Sequence, residues 1–190
     1  MLKKPFAFLP FLILGLAFAP PHASAQMIVH ALTGTVKTAN IKLGKLTVQT
    51  ADGTDRDFKV SSASDSSTLK SDLRSNTISP VGFSKIGDQV IVFYSGFGSD
   101  ETAIALRDLG PGPFVRTVGT VTHYDKHSRT LTIKPTTGPV QEFQWDDKAA
   151  AETSMGAVEG SRFDPHKGTQ VRITATTNDG KETAWFLREV

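Results

Sequence analysis

The chain has 190 residues, no cysteine, and 21 Lys and Arg residues against 19 Asp and Glu residues. The absence of cysteine excludes disulfide bonds, thiol catalysis and thiolate metal sites. Lys3 and Lys4 belong to an amino-terminal leader, and without them 19 basic residues balance 19 acidic ones. A balanced chain lacks the surplus of positive charge that nucleic-acid binding needs, so we expect no nucleic-acid partner.

Residues 1–25 have the pattern of a secretory signal peptide. The pair Lys3-Lys4 precedes the apolar stretch Phe6–Ala19, and Ala23-Ser24-Ala25 forms a cleavage site of the A-x-A kind. The apolar stretch is shorter than the roughly 20 residues of a membrane-spanning helix. We therefore expect a periplasmic or secreted mature chain that begins at Gln26 and has no integral membrane segment.

Two segments of the mature chain, residues 34–107 and 119–188, match each other in order. The earlier matches share an offset of 85 positions and the later ones share an offset of 81. An offset that changes once indicates two equivalent units whose central loops differ by four residues. The matched pairs are Gly34-Thr35-Val36 with Gly119-Thr120-Val121, Leu46-Thr47-Val48 with Leu131-Thr132-Ile133, Phe58 with Phe143, Gly87-Asp88-Gln89-Val90 with Gly168-Thr169-Gln170-Val171, and Ala103–Arg107 with Ala184–Arg188.

Each unit alternates between apolar and polar residues in the manner of half-buried strands. Asp52-Gly53 and Asn178-Asp179-Gly180 lie between such runs and predict tight hairpin turns. Every unit is expected to contain three strands, a longer polar stretch and two further strands. The strands are expected near residues 29–38, 44–50, 56–60, 89–95 and 102–108, and near residues 115–124, 129–135, 141–146, 169–176 and 182–189.

The polar stretches 61–86 and 147–168 separate the third and fourth strands of the units. Leu69 and Leu73 have helical i, i+4 spacing, and Ala149-Ala150-Ala151 are the best helix formers. We expect a short helix or a loop in each stretch, with Asp147 as the N-cap of a helix over residues 147–155. The segment 61–67 is of low complexity.

The strand order predicts an all-β protein of two tandem five-stranded OB-like Greek-key barrels. The first barrel spans residues 26–110, a Gly/Pro linker spans 111–113, and the second barrel spans 114–190. The Gly-Thr-Val, Leu-Thr-Val/Ile and Ala-x-x-Leu-Arg motifs of the two units resemble those of small OB-like β-barrel domains of exported bacterial proteins of unknown function. The second unit is also distantly similar to periplasmic copper carriers of the OB type.

His123, Asp125 and His127 form the densest cluster of potential metal ligands. Imidazole and carboxylate donors suit zinc or Cu(II). The cluster is also at the turn between the first two strands of its unit, where polar residues are expected without any metal. The equivalent turn of the first unit, residues 38–42, carries no ligands, so a site here would belong to one unit alone.

The resemblance to copper carriers implies a copper site built from a His, paired Met residues and a capping Trp. Trp145 lies near the place of that Trp, and His123 corresponds only loosely to the His. Met155 has no second Met nearby, and the chain contains no Met-x-Met. The alternative is that Trp145 closes the barrel and Met155 fills a gap beside it.

The fourth strand of the first unit has apolar residues on both faces, which leaves Ile91 and Phe93 directed away from their own barrel. These side chains form either the contact between the barrels or, together with Trp145, a partner surface. No catalytic signature such as G-x-S-x-G is present. The sequence predicts a non-enzymatic binding or scaffold module that recognises a protein or cell-envelope component. The alternative is a periplasmic copper- or zinc-binding protein, and no other cofactor is expected.

Overall fold

The computed structural model describes residues 27–40, 42–60 and 68–190. Over these ranges the chain is all-β, with eleven strands and two three-residue 3-10 segments. The all-β prediction is therefore confirmed. No helix within these ranges has the length and apolar character needed to cross a bilayer. The predicted signal peptide and the low-complexity segment lie outside the described residues.

The first five strands form a closed barrel in the order β1-β2-β3-β5-β4. β3 and β5 run parallel, and the other neighbours are antiparallel. Leu32, Val36, Val48, Phe58 and Val92 are among the buried side chains that fill the barrel. The strands are β1 (His30–Asn40), β2 (Lys45–Thr50), β3 (Asp55–Lys59), β4 (Gln89–Ser95) and β5 (Thr102–Gly110).

The remaining strands form a second sheet in the order β11-β10-β6-β7-β8-β9. β8 also pairs in parallel with β11, so strand pairing runs around the ring β6-β7-β8-β11-β10, with β9 on the free edge of β8. Leu131, Ile133, Phe143, Ile173 and Leu187 are buried inside this ring. The strands are β6 (Val115–Asp125), β7 (Thr130–Pro135), β8 (Gln141–Thr153), β9 (Gly156–Glu159), β10 (Gln170–Asn178) and β11 (Lys181–Glu189).

The long first strand of each sheet carries the same irregularity. The register of β1 against β2 shifts after Val36, and the register of β6 against β7 shifts after Val121. Those two valines occupy matched positions in the sequence. The Val36 N–H donates to the Asp88 carbonyl, and the Val36 carbonyl accepts the Gly87 N–H, both at 2.9 Å. The Val121 N–H likewise donates to the Thr169 carbonyl, and the Val121 carbonyl accepts the Gly168 N–H, both at 2.9 Å.

The helix predicted over residues 147–155 is wrong, and Asp147 is not a helix N-cap. β8 continues to Thr153 and turns into β9, so Ala149-Ala150-Ala151 are extended. Residues 150–152 pair with β11, and all three alanines are fully buried. Strand pairing and burial therefore override the helix propensity of alanine. In the first half, the described part of the matching stretch, residues 68–86, consists of turns and bends with one isolated bridge between Ile78 and Leu106.

An apolar cluster joins the two sheets. It contains Ile91 and Phe93 of the first barrel together with Ala150, Ala157 and Phe186 of the second sheet. Leu69 and Leu73, from the turns that follow the low-complexity segment, complete the same cluster. The two halves of the protein are thus packed through a shared core.

Arg107 reinforces this contact with hydrogen bonds. Its side chain is 1% exposed, and its guanidinium donates to the carbonyls of Leu73 at 3.1 Å, Ser75 at 2.9 Å and Lys148. The same group lies over the ring of Phe93, 5.4 Å from its centroid. Burial lowers the pKa of Arg107, against the opposing effect of the Glu159 and Asp146 carboxylates. One side chain therefore ties β5, the turn segment and β8 together.

A second polar link joins the amino terminus of β1 to β8. Glu152 accepts from the backbone N–H of Ala31 at 2.7 Å, and its other oxygen lies 2.7 Å from His30 Nδ1. The His30 ring also packs on Tyr94 and Phe97, with centroids 5.7 Å away in each case. Burial raises the pKa of Glu152, although the hydrogen bonds from His30 and Ala31 act in the opposite direction.

Candidate functional site

The structure buries the residues predicted as a partner surface. Ile91 and Phe93 have no exposed area because they lie in the cluster between the two sheets. Their placement corresponds to the internal-contact alternative, and it leaves them no surface to offer a second molecule. Trp145 is 5% exposed and lies in the core of the second sheet. The small exposed part of its side chain lines a cleft of the second sheet beside Tyr124 and Gly160.

The predicted metal ligands are not brought together as a metal site. Asp125 closes the β6–β7 turn by accepting from the backbone N–H groups of His127 at 2.8 Å and Ser128 at 3.3 Å. Hydrogen bonds from Ser128 and His127 hold its pKa below the usual range. Among the residues that the structure describes, no group of three or more His, Asp or Glu side chains is arranged to hold a metal ion.

The copper-carrier arrangement is also not formed. Met155 is 84% exposed at the turn between β8 and β9, and it lines a different cavity from Trp145. The expected packing of Met155 beside Trp145 is therefore wrong as well. Instead the Trp145 ring packs edge-on against Phe163, with the centroids 5.8 Å apart.

Each half of the protein has a cleft beside the turn that joins its first two strands. The first cleft has a volume of about 490 Å³ and the second a volume of about 520 Å³. Leu43 and Gly44 line the first cleft, and Arg129, at the position matched to Gly44, lines the second. In barrels of the OB type, ligands bind on the face of strands two and three together with the flanking loops.

In the first cleft, ion pairs engage five of the six charged side chains that line it. Lys45 lies 2.8 Å from Asp57, Lys59 lies 2.6 Å from Asp100, and Arg56 pairs with Glu101. Asp55 is the sixth charged lining residue. Asp57 also accepts a hydrogen bond from the Thr47 hydroxyl at 2.7 Å. Most of the charge in this cleft is already neutralised within the barrel.

The second cleft is arranged differently. Its charged lining residues are Lys126, Arg129, Asp146, Asp147 and Glu159, and only Arg129 and Asp147 form an ion pair. Asp146 accepts the backbone N–H of Lys148 at 2.7 Å, and Glu159 accepts the Ser161 hydroxyl at 3.2 Å. Within the described ranges, Lys126, Asp146 and Glu159 form no ion pair at contact distance, although both carboxylates act on the charge of the buried Arg107. Three acidic and two basic residues leave the lining with a formal charge of −1.

Trp145, which lines the second cleft, also carries an unsatisfied buried donor. Its Nε1–H is buried and has no hydrogen-bond partner among the described residues. Leaving a buried donor unpaired costs about 1–3 kcal/mol. Gly160 lies against this ring, since a Cβ there would come within 3.2 Å of Cε3 and within 3.0 Å of Ala149. A polar group of a bound molecule would offset the cost if it reached the indole.

The path of β8 explains why this cleft exists. β8 pairs with β11 up to Trp145 and again from Ala150, and the register shifts between these two stretches. Asp146, Asp147 and Lys148 therefore lie outside the regular pairing, at the rim of the cleft. Tyr124 lines the opposite wall, and burial raises the pKa of its phenol.

The sequence predicts part of this site for other reasons: it indicates Trp145 as a candidate surface residue, Asp147 as a helix N-cap and the turn that contains Lys126 as a possible metal site. It does not indicate Glu159 and Ser161, because they reach the cleft through the β8–β9 hairpin, where the sequence predicts a helix or a loop. The signal that could have revealed the hairpin is Met155-Gly156, since Gly156 has the positive φ of 103° that favours a turn.

No protein-family model matches the chain, and no curated protein matches it. Among solved structures, CusF with bound Ag(I) is 10% identical, covers 42% of this chain and 100% of its own, and gives a TM-score of 0.34. A tryptophan-to-alanine variant of CusF with Cu(II), from Escherichia coli, is 11% identical with coverages of 40% and 91% and a TM-score of 0.33. Three cold-shock domains of Drosophila Unr are 10% identical with coverages of 84% and 61% and a TM-score of 0.32. At these values the similarities carry no argument about this chain.

Proposed function

We propose that this chain is an exported, non-enzymatic binding module made of two tandem OB-like barrels. Its second barrel recognises a protein or cell-envelope component through the cleft that Trp145 lines, and the first barrel supports it. One observation carries this proposal. Lys126, Asp146 and Glu159 line the second cleft without an ion pair inside the described protein, whereas the first cleft engages nearly all its charges internally.

Polar groups that remain without strong internal partners are the ones that a bound molecule can engage. A hydrogen bond to a charged group contributes about 1.5–3 kcal/mol. Asp146 and Glu159 offer acceptors, and the formal charge of the lining favours a partner that presents basic or amide donors. The Trp145 ring is too deeply buried to stack broadly on a ligand, so recognition rests on hydrogen bonds and charge.

The support from the first barrel comes from the shared cluster and from Arg107. Both contact β8, the strand that carries Trp145 and Asp146. A cleft wall held on two sides keeps its polar groups in place before binding, which lowers the entropic cost of recognition. Export follows in this proposal from the leader pattern at residues 1–25, and the absence of disulfides is then offset by the contact between the barrels.

The test is capture from an envelope extract by the immobilised mature chain that begins at Gln26. The cleft variant combines Asp146→Asn with Glu159→Gln, which removes two charges and keeps the side-chain shapes. The matched control combines Asp55→Asn with Asp57→Asn, which removes the same charge from the first cleft. Quantitative mass spectrometry measures each captured component.

We expect the recovery of the specific partner to fall by about tenfold or more for the cleft variant, and to stay within about twofold for the control. Thermal unfolding of all three proteins verifies that each is folded. Equal recovery by the cleft variant and the wild-type chain would remove the second cleft from the proposal.

A further inference from the structure

A small cavity between the two barrels is distinct from both clefts. It has a volume of about 70 Å³, and Arg56, Arg172 and Arg188 line it together with the hydroxyl-bearing residues Thr33, Thr50 and Thr174. One arginine comes from the first barrel and two come from the second sheet. On this measure one water molecule needs roughly 10–15 Å³, so the cavity has room for a small ionic group.

Arg172 and Arg188 are directly opposite each other on β10 and β11. Their neighbours Ile173 and Leu187 point into the barrel core, so the two arginines extend from its outer face toward the first barrel. Like charges at directly opposite positions of an antiparallel pair are destabilising. In the described part of the chain, neither guanidinium forms an ion pair with a carboxylate. Glu152 is opposite Arg188 on β8 and acts on its charge, but one carboxylate cannot balance two arginines. The remaining positive charge is one that an anion would stabilise.

The acidic groups near this cavity are engaged elsewhere. Glu101, which does not line the cavity, pairs with Arg56, and Glu152 accepts hydrogen bonds from His30 and the Ala31 N–H. Asp52 lies at the rim, where its carboxylate closes a turn by accepting from the Thr50 hydroxyl at 2.5 Å and the Thr54 N–H at 3.1 Å. The cavity lining thus holds three arginines and one carboxylate, that of Asp52, and keeps an excess of positive charge.

We propose that this cavity binds a phosphate group, with Arg172 and Arg188 as its principal ligands and Arg56 at the edge. The planar guanidinium donates paired N–H groups that match the spacing of phosphate oxygens, and two such groups neutralise the two charges of a phosphate monoester. Since both barrels contribute to the cavity, the bound group also links them. The phosphate belongs either to the free ion or to the headgroup of an anionic lipid.

The experiment measures thermal unfolding of the mature chain in inorganic phosphate and in chloride at equal pH and ionic strength. A ligand that binds only the folded state raises the midpoint with its concentration, and the dependence yields an apparent Kd. The test variant is Arg172→Gln. The matched control is Lys181→Gln, which removes one positive charge from an exposed position of β11 outside the cavity.

We expect phosphate to raise the wild-type midpoint, and the apparent Kd to increase by about tenfold or more in Arg172→Gln but by less than about twofold in Lys181→Gln. In chloride alone, Arg172→Gln is expected to unfold at a temperature no lower than that of the wild type, because the substitution relieves the Arg172–Arg188 repulsion. A phosphate effect of equal size in all three proteins, or none in the wild type, would overturn the proposal. The same holds if acetate acts as strongly as phosphate.

Cosedimentation with vesicles separates the two sources of phosphate. The vesicles contain phosphatidylcholine with phosphatidic acid, or phosphatidylcholine alone. If vesicles with phosphatidic acid retain the wild-type protein but not Arg172→Gln, the cavity binds a lipid headgroup. If neither kind of vesicle retains the wild-type protein, the cavity binds the free ion. Equal retention of wild type and Arg172→Gln by the anionic vesicles excludes a lipid headgroup at this cavity. These outcomes do not depend on the second cleft, whose variants leave all three arginines in place.

Discussion

The first barrel and the second sheet use the same strand order around equivalent clefts, but their charged side chains differ in where they find partners. The first cleft holds three ion pairs. The second cleft has one ion pair, and Trp145, which lines it, carries an unsatisfied indole donor. The arginines that end the matched Ala-x-x-Leu-Arg motifs differ in the same manner, because Arg107 is fully buried and Arg188 is exposed. Matched positions are thus buried and internally paired in one half, and exposed or without an ion pair in the other.

The largest expected effect comes from the two matched arginines. Arg107→Met removes the donor of one buried and two part-buried hydrogen bonds to carbonyls, so we expect the free energy of unfolding to fall by about 3 kcal/mol or more. Arg188→Met is expected to change it by less than about 0.5 kcal/mol. Urea unfolding monitored by tryptophan fluorescence measures both. Similar values for the two variants would contradict the division of roles between the two arginines.

The next effect concerns the close approach of strands at the matched glycines. A Cβ on Gly34 would lie 2.4 Å from the Gln49 carbonyl oxygen, and one on Gly119 would lie 2.7 Å from the Lys134 carbonyl oxygen. Since neither contact involves a flexible side chain, we expect alanine to destabilise both barrels by about 1–3 kcal/mol, with Gly34→Ala the more damaging. Thermal unfolding of both variants checks the order. If Gly119→Ala proved neutral, the second sheet would be less tightly closed at this point than the first barrel.

A smaller effect is the pH dependence of stability, which differs between one carboxylate in each half of the protein. The pKa of Glu152, on the second sheet, is raised by burial, so its folded state binds a proton more readily than its unfolded state. The stability from this group is full below its unfolded pKa and is lost as the pH rises through the folded pKa. The pKa of Asp52, in the first barrel, is lowered to about 2 by hydrogen bonds from Thr50 and Thr54. Its contribution is present above the unfolded pKa and is lost as the pH falls toward 2.

Chemical denaturation from pH 4 to pH 8 tests the Glu152 part. We expect the stability of the wild type relative to Glu152→Gln to decline as the pH rises, because only the wild type has this carboxylate to ionise. The comparison with Asp52→Asn is expected to show the opposite pH dependence. The free energy of unfolding of the wild type relative to Asp52→Asn is expected to decline as the pH falls below 4. A pH-independent difference in either pair would contradict the corresponding assignment.

The smallest effect is expected in the first cleft. Lys45→Gln breaks an ion pair in which both side chains are about half exposed, and such surface pairs contribute roughly 0–1 kcal/mol. We expect a change below about 1 kcal/mol in unfolding and no loss of the partner captured through the second cleft. Capture that depends on Lys45 would show that both clefts contact the partner, and so would end the contrast between them.

Much of the strand layout could be predicted because alternation and turn residues are local signals. β4 was predicted with its observed bounds, and β2 and β7 within one residue. The β8–β9 hairpin could not be predicted, since an alanine run favours helix until burial between β11 and the first barrel is known. The cleft depends on the register shift in β8, which local sequence does not encode. His123, Asp125 and His127 show the reverse case, where nearby ligand types form only a turn.

The shared cluster around Phe93 and Phe186 has a consequence for how this protein folds. Tandem repeats often unfold in separate steps when each unit holds its own core. Here, separation of the halves would expose Ile91, Phe93 and Phe186 to water. It would also disrupt the environment that buries Arg107, whose charge would have to be hydrated again. We therefore expect a single cooperative unfolding transition, with no populated state in which one barrel is intact and the other is lost. Similarity between two segments of a sequence and independence in folding are thus separate properties, and we expect the two halves of this chain to unfold together.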